Sequence, residues 1–153
     1  MDKGRGLLFG AMLGGMAACG GQGGPPTSIA IGDLCTSIVS AACDRFMRCG
    51  TAPQDRPTCI SQVTAAFDEC PFFVDAVAMG EATYDGAAAV AYVEAFRTGA
   101  CTDLQPDPVA MGVFTPKRAS GEVCHSKVSC QPPLVCDGHT TSTPAGTCVA
   151  AAN

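Results

Sequence analysis

The chain has 153 residues, of which 11 are cysteines, and a formal net charge of -5. Only nine residues are Lys or Arg, which argues against nucleic-acid binding because neutralising phosphates requires clustered cations. With 47% hydrophobic and 15% charged residues, the composition also excludes a chain that is disordered throughout. Because the number of cysteines is odd, one cysteine needs an explanation other than a disulfide bond within the chain.

The N-terminus has the pattern of an export signal. A short cationic start precedes an uncharged run from 7 to 18, which is shorter than the roughly 20 residues needed to cross a bilayer. The run ends in Met16-Ala17-Ala18-Cys19, which resembles the lipobox of bacterial lipoproteins. The resemblance implies that residues 1–18 are a signal peptide and that Cys19 is acylated, anchoring the protein to a membrane. The alternatives are an ordinary secretory signal cleaved near Ala18 and a cytosolic protein with a misassigned start.

Residues 19–28 are expected to form the lipidated cysteine and a flexible tether. The stretch is rich in Gly and Pro, and nine such residues have a root-mean-square reach of roughly 15–18 Å. Gly20 directly after Cys19 resembles lipoproteins that are sorted to the outer membrane. We therefore expect a lipid-anchored protein of the bacterial cell envelope, at the outer membrane, whose other ten cysteines form five disulfides in an oxidising compartment.

A helical disulfide domain is predicted over 29–101, where apolar residues recur at three- and four-residue intervals. The four predicted helices run from Ile31 to about Arg48, from near Pro57 to Cys70, from Phe72 to Met79 and from Gly86 to Arg97. The residues predicted to cap or end them are Asp55, Asp85, Gly50, Pro71, Gly80 and Gly99, and the predicted buried face of the fourth is Ala89, Val90, Val93 and Phe96. Because the connections are short, we expect successive helices to run antiparallel.

This domain has six cysteines, an even number that can close its own bridges. If the first two helices form a hairpin with its turn near Gln54, Cys49 pairs with Cys59 and Cys35 with Cys70. Cys43 then pairs with Cys101. Six cysteines allow 15 connectivities, so other pairings stay open.

A linker is predicted over 102–120, which has three prolines and no cysteine. A cysteine-rich module follows over 121–153, in which 134–136 and 147–149 are predicted strands of a small hairpin. Among its three connectivities we favour Cys124 with Cys136 and Cys130 with Cys148. The expected fold is mainly α: a small disulfide-stapled helical bundle followed by a short cysteine-rich β-hairpin module.

The module carries a G-x2-C, C, L-x-C, G-x-C pattern at Gly121 and Cys124, Cys130, Leu134 and Cys136, and Gly146 and Cys148. This pattern resembles the cysteine-rich modules of the Dickkopf N-terminal and EB-like type. The whole chain resembles uncharacterised cysteine-rich lipoproteins of myxobacteria, through the string from Cys43 to Cys49 and the Tyr84-Asp85 helix start. These resemblances imply architecture and location and do not imply an activity.

We found no pattern that predicts catalysis, a metal or a cofactor. His125 and His139 lie near cysteines, but the C-x2–4-C knuckle of zinc sites does not occur. The neighbouring carboxylates Asp68 and Glu69 are expected to be solvated rather than an acid–base pair, because adjacent helical positions diverge by about 100°.

The sequence therefore predicts a non-enzymatic, lipid-anchored protein-interaction or surface module with an unknown protein partner. One alternative is a small enzyme or a protease inhibitor presenting the loop Gln131-Pro132-Pro133. The other alternative is a structural component of the envelope.

Overall fold

The structure of the protein is a computed structural model, and it describes residues 26–51, 55–102, 105–140 and 142–151. The predicted signal peptide, Cys19 and most of the tether lie outside these residues. The helices are α1 (Ile31–Cys49), α2 (Arg56–Ala66), α3 (Cys70–Ala78) and α4 (Gly86–Thr98). The strands are β1 (Ala82–Tyr84), β2 (Phe114–Pro116), β3 (Val123–Cys124), β4 (Leu134–Asp137) and β5 (Gly146–Ala150).

Within the described residues, the architecture combines four helices with two small antiparallel sheets, and five disulfides brace it. The predicted helices and the disulfide-stapled hairpin are both present. The balance is mixed helix and sheet rather than mainly α, because strands also form outside the predicted hairpin. No helix in the described part of the chain is both long enough and apolar enough to span a membrane.

Local signals account for where α1 and α4 begin and end. Gly50 follows α1 at φ 68°, a left-handed conformation that glycine adopts without the steric cost of a Cβ. The Asp85 carboxylate accepts hydrogen bonds from the backbone N–H groups of Ala87 and Ala88, at 2.8 and 3.0 Å. It therefore caps α4 as predicted, since these N–H groups have no partner within the helix.

The boundary between α2 and α3 differs from the prediction. Asp55 caps α2 as expected, accepting from the Thr58 N–H at 2.9 Å, but the helix ends at Ala66. Pro71 lies in the first turn of α3 and does not end α2. The physical reason is that proline is tolerated in a first turn, where its missing N–H would have had no helical partner.

Helices α1 and α4 run parallel and pack along their length. At one end the Ile29 N–H donates to the Gly86 carbonyl at 3.0 Å. At the other end the Arg48 guanidinium donates to the carbonyls of Arg97 and Gly99, at 3.1 and 2.6 Å. The last residues of α1 therefore lie beside the last residues of α4.

The segment 102–120 is not only a connection, in contrast to the prediction. It contributes β2, which pairs antiparallel with β1 so that Tyr84 lies opposite Phe114. Val113 and Phe114 are fully buried, and the Phe114 ring lies 5.3 Å from the ring of Phe73. A three-residue strand next to prolines has too little periodicity to be recognised in the sequence.

The cysteine-rich module is a three-stranded antiparallel sheet in the order β3-β5-β4. Cys136 lies opposite Cys148, so the predicted hairpin of β4 and β5 is present. β3 pairs with the other edge of β5. Val128 of this module is fully buried in the main hydrophobic core, together with Phe73 and Phe114. The module therefore shares a core with the helices.

The disulfides of the module join Cys124 to Cys136 and Cys130 to Cys148, as the sequence analysis favoured. Cys35 is bonded to Cys70, which is also the expected pair.

The two remaining expected pairs, Cys49–Cys59 and Cys43–Cys101, are wrong. The structure joins Cys43 to Cys59 and Cys49 to Cys101. At about 100° per helical residue, Cys43 lies roughly 80° from Cys35 but about 120° from Cys49 around α1. Cys35 and Cys43 therefore share the face that meets α2 and α3, and Cys49 lies beside the end of α4. Distance from the turn alone does not determine the pairs, because the cysteine side chains point in different directions around α1.

Candidate functional site

The string from Cys43 to Cys49 is a structural junction between three helices. Asp44 forms ion pairs with Arg56 of α2 and Arg97 of α4. Arg45 and Arg48 donate to the last carbonyls of α4 and the residues after it, which otherwise lack helical partners. The charged side chains in this string therefore hydrogen-bond to the carbonyl groups at the end of α4 and hold the three helices together.

A buried carboxylate, Glu81, lies at the centre of a polar cluster. Its side chain is 1% exposed and accepts hydrogen bonds from the Ser129 hydroxyl at 2.7 Å and from the His125 backbone N–H at 2.9 Å. The His125 Nδ1 lies 2.6 Å from Oε1, and Arg118 Nη2 lies 3.3 Å from the same oxygen. Glu81 thus joins the end of α3 to the segment after β2 and to the cysteine-rich module.

The hydrogen bonds keep this carboxylate ionised. Burial by itself raises the pKa of Glu81, but hydrogen bonds from the side chains of His125 and Ser129 and from the His125 N–H outweigh it. The pKa therefore lies below its usual value. A charged group in the interior is tolerated when its lone pairs are satisfied in this way.

The cluster has the residue types of a Ser–His–acid triad but not its geometry. In such a triad the hydroxyl bonds to the histidine, which then takes its proton. Here the Ser129 hydroxyl donates directly to Glu81, and Ser129 is fully buried. The arrangement supports a clamp between parts of the fold rather than a nucleophile.

Further contacts join the cysteine-rich module to α3. Lys127 forms an ion pair with Glu69, and its ammonium group lies 5.5 Å from the centre of the Phe73 ring. The ring of His139 packs edge-on against Phe72, with centroids 4.5 Å apart. Both histidines that the sequence placed near cysteines therefore make packing or hydrogen-bond contacts, and Glu69 pairs with a lysine rather than with Asp68.

Three buried cysteines of the module bring their sulfur atoms within 4.8 Å of one another: Cys124, Cys130 and Cys148. All three belong to disulfides. Zinc is held by thiolates, so these sulfur atoms can bind it only after reduction.

A cleft lies between the segment 105–109 and the module. It has a volume of about 450 Å³. The residues that line it are Gln105, Pro106, Asp107, Pro108, Val109, Lys127, Val128, Cys130, Pro132, Pro133, Leu134 and Val135. We call this cleft the proline groove. Its position brings together the segment predicted as a linker and the loop that the sequence analysis singled out.

The loop Gln131-Pro132-Pro133 is exposed and is fixed at its base. The Gln131 N–H donates to the Arg118 carbonyl at 2.9 Å, and the Leu134 N–H donates to the Gln131 carbonyl at 2.9 Å. The Cys130–Cys148 disulfide holds the residue before the loop. The chain therefore presents this loop in one defined position.

The strand at the rim of the proline groove has an open edge. β4 is an outer strand of its sheet, and no other strand within the described ranges pairs with its outer side. The Cys148 N–H donates to the Glu122 carbonyl and the Cys148 carbonyl accepts from Gly121, so the backbone of Cys148 faces β3. Cys136, opposite Cys148, therefore directs its own N–H and carbonyl away from β5.

Comparisons of the chain with protein-family models, curated proteins and solved structures find no match.

Proposed function

We propose that this chain is a lipid-anchored protein of the bacterial cell envelope that binds an extended segment of a partner protein. The proline groove with its open β4 edge is the observation that carries the binding part of the proposal. The lipobox-like sequence ending at Cys19 and the Gly-rich tether carry the anchoring part. Partner binding is favoured because, in the described part of the chain, the buried cluster of Glu81, His125 and Ser129 has the contacts of a clamp.

The chain that would follow the tether is fixed to the folded part of the protein just before α1. The Ile29 carbonyl accepts a hydrogen bond from the Tyr84 hydroxyl at 2.8 Å, and the Ile29 N–H donates to Gly86. These bonds fix the chain just before α1, so a tether of nine residues gives the body a reach of roughly 15–18 Å from an anchor at Cys19.

An extended polypeptide is the occupant that the groove chemistry favours. The N–H and carbonyl of Cys136 face outward, and an added strand would satisfy them by backbone hydrogen bonds. The exposed side chain of Val135, with 45% of its surface accessible, supplies an apolar contact beside that edge. Backbone pairing gives affinity, and the neighbouring apolar surface gives selectivity.

Site-specific photocrosslinking in the bacterium that makes the protein tests this proposal. We expect a photoreactive residue at Val135 to crosslink to one envelope protein, and the crosslinked peptide to map to one continuous segment of it. The same residue at Met47, exposed on α1, is the matched control and should not form that product. Equal products from both positions, or none from Val135, would contradict the proposal.

A second candidate function follows from the fixed loop Gln131-Pro132-Pro133. Protease inhibitors present an exposed loop on a rigid support, and here a disulfide and two backbone hydrogen bonds supply that support. Inhibition of a protease by micromolar oxidised protein, lost when Gln131 is replaced by Ala, would favour this candidate. Absence of inhibition across a panel of serine, cysteine and metalloproteases would count against it.

A further inference from the structure

The five disulfides differ in how well solvent reaches them. Four of them contain at least one buried cysteine, namely Cys70, Cys43 with Cys59, Cys124, and Cys130 with Cys148. In the fifth, Cys101 is exposed and Cys49 is half-buried. Cys49–Cys101 is thus the one disulfide among the described residues that lacks a buried partner. Access to the sulfur atom is one of the factors that set the rate of thiol–disulfide exchange.

We propose that Cys49–Cys101 is a thiol-exchange site, at which a small thiol or a partner's cysteine forms a mixed disulfide with Cys101. The incoming thiolate attacks the Cys101 Sγ, forming a new S–S bond while the bond between Cys101 and Cys49 breaks. The electron pair of the broken bond leaves on the Cys49 Sγ as a thiolate, which then takes a proton from water. One thiolate is consumed and one is released, so no further oxidant or reductant is needed.

The fold is able to tolerate this opening. The ends of α1 and α4 stay joined by hydrogen bonds from Arg48 to the carbonyls of Arg97 and Gly99, and Arg45 donates to Ala100. The Cys43–Cys59 disulfide, fully buried six residues earlier in α1, is separate from this junction. Exchange therefore changes the chain locally, after the last turn of α4.

Opening would also uncover a cavity. The disulfide lines a cleft of about 340 Å³, together with the aromatic rings of Phe46 and Phe96. Both cysteines belong to the wall of this cleft, so breaking their bond frees Cys101 from that wall while Gly99 and Ala100 stay hydrogen-bonded to Arg48 and Arg45. The mixed disulfide would place the attached group at the mouth of this cleft, which Arg45, Thr51 and Gln105 also line.

Timed reduction of the full oxidised protein tests the proposal. The protein is exposed to reduced glutathione, quenched at intervals with an alkylating reagent and mapped by mass spectrometry. We expect Cys49 and Cys101 to react at least about tenfold faster than the cysteines of any other pair. The first glutathione adduct should lie on Cys101, with Cys49 alkylated, and far-UV circular dichroism should be unchanged at that stage.

Two double variants make the assignment specific. Replacing Cys49 and Cys101 by Ser should abolish the fast reaction, whereas replacing Cys124 and Cys136 by Ser should leave it in place. The wild-type map alone also decides the question if either variant fails to fold. Faster opening of another pair, simultaneous opening of all five, or a first adduct on Cys49 would overturn the proposal.

Discussion

Glu81 is the residue on which the joining of the helices to the cysteine-rich module most depends. Its buried carboxylate receives hydrogen bonds from Ser129 and His125 and lies beside Arg118, residues that are 37 to 48 positions away in sequence. Removing the charge leaves the fully buried Ser129 hydroxyl without its ionised acceptor. The cost of such a change is larger than that of losing a surface ion pair.

We expect Glu81→Gln to lower the free energy of unfolding by about 2–4 kcal/mol, since an amide offers one acceptor oxygen and no charge. Urea denaturation of the oxidised protein measures this change. Asp75→Asn, at an exposed position of α3, is the matched control and should change stability by less than about 0.5 kcal/mol. Equal effects of the two variants would contradict the role given to Glu81.

The lowered pKa of Glu81 also sets a direction for the pH dependence. In the unfolded chain this carboxyl takes up its proton near the ordinary value of 4.5, and in the folded protein it does so at lower pH. The stability that it contributes is therefore complete above about pH 4.5 and is lost as pH falls through the folded-state pKa. Urea titrations between about pH 3 and pH 6 should show a steeper loss for the wild type than for Glu81→Gln. Identical slopes would show that the cluster does not stabilise the ionised form.

At the scale of the elements, capping residues fix where the helices begin. Asp85 accepts from two backbone N–H groups at the start of α4, next to the point where Ile29 and Tyr84 hold the incoming chain. This end of α4 therefore positions both the helix and the chain that enters α1.

We expect Asp85→Ala to destabilise the protein by about 1 kcal/mol, because the first N–H groups of α4 lose their acceptor. Asp85→Asn keeps a side-chain oxygen and should lose only a fraction of that amount. Hydrogen exchange of the Ala87 and Ala88 amides should accelerate in Asp85→Ala and much less in Asp85→Asn. If both variants match the wild type, the cap does not contribute as described.

Local patterns in the sequence were sufficient to predict four helices and the hairpin of the module, but not the boundary between α2 and α3. The caps at Asp55 and Asp85 and the stop at Gly50 are signals that lie within a few residues of the helix ends. The β1–β2 pairing was missed because it joins two three-residue strands about 30 residues apart, too short to show a period. The Cys49–Cys101 bond was missed because it depends on the direction of the cysteine side chains around α1. Helical-wheel positions of Cys43 and Cys49 could have corrected the pairing, whereas no local pattern marks Glu81 as the centre of a cluster.

At the scale of the whole molecule, the helices and the cysteine-rich module share one hydrophobic core. Val128 of the module is fully buried against the cluster that contains Phe73 and Phe114. The Glu81 cluster adds polar contacts across the same boundary. The two parts should therefore unfold together rather than as separate domains.

We expect a single calorimetric transition for the oxidised protein, with equal calorimetric and van't Hoff enthalpies. Val128→Ala removes buried methyl groups and should cost about 2 kcal/mol. In urea, the helix signal in circular dichroism and NMR signals of β4 and β5 should shift by the same amount. A shift of the module signals alone would show that the module unfolds independently.

The proposed role of the protein requires that Cys19 is acylated and that all five disulfides are formed. Intact mass spectrometry of the membrane-extracted protein tests both requirements most directly. We expect the mass of residues 19–153 plus a diacylglyceryl group and an amide-linked acyl chain. Complete reduction should then add ten hydrogens, two for each of the five disulfides. A cleaved chain with an unmodified Cys19, or a chain that retains residues 1–18, would contradict the account.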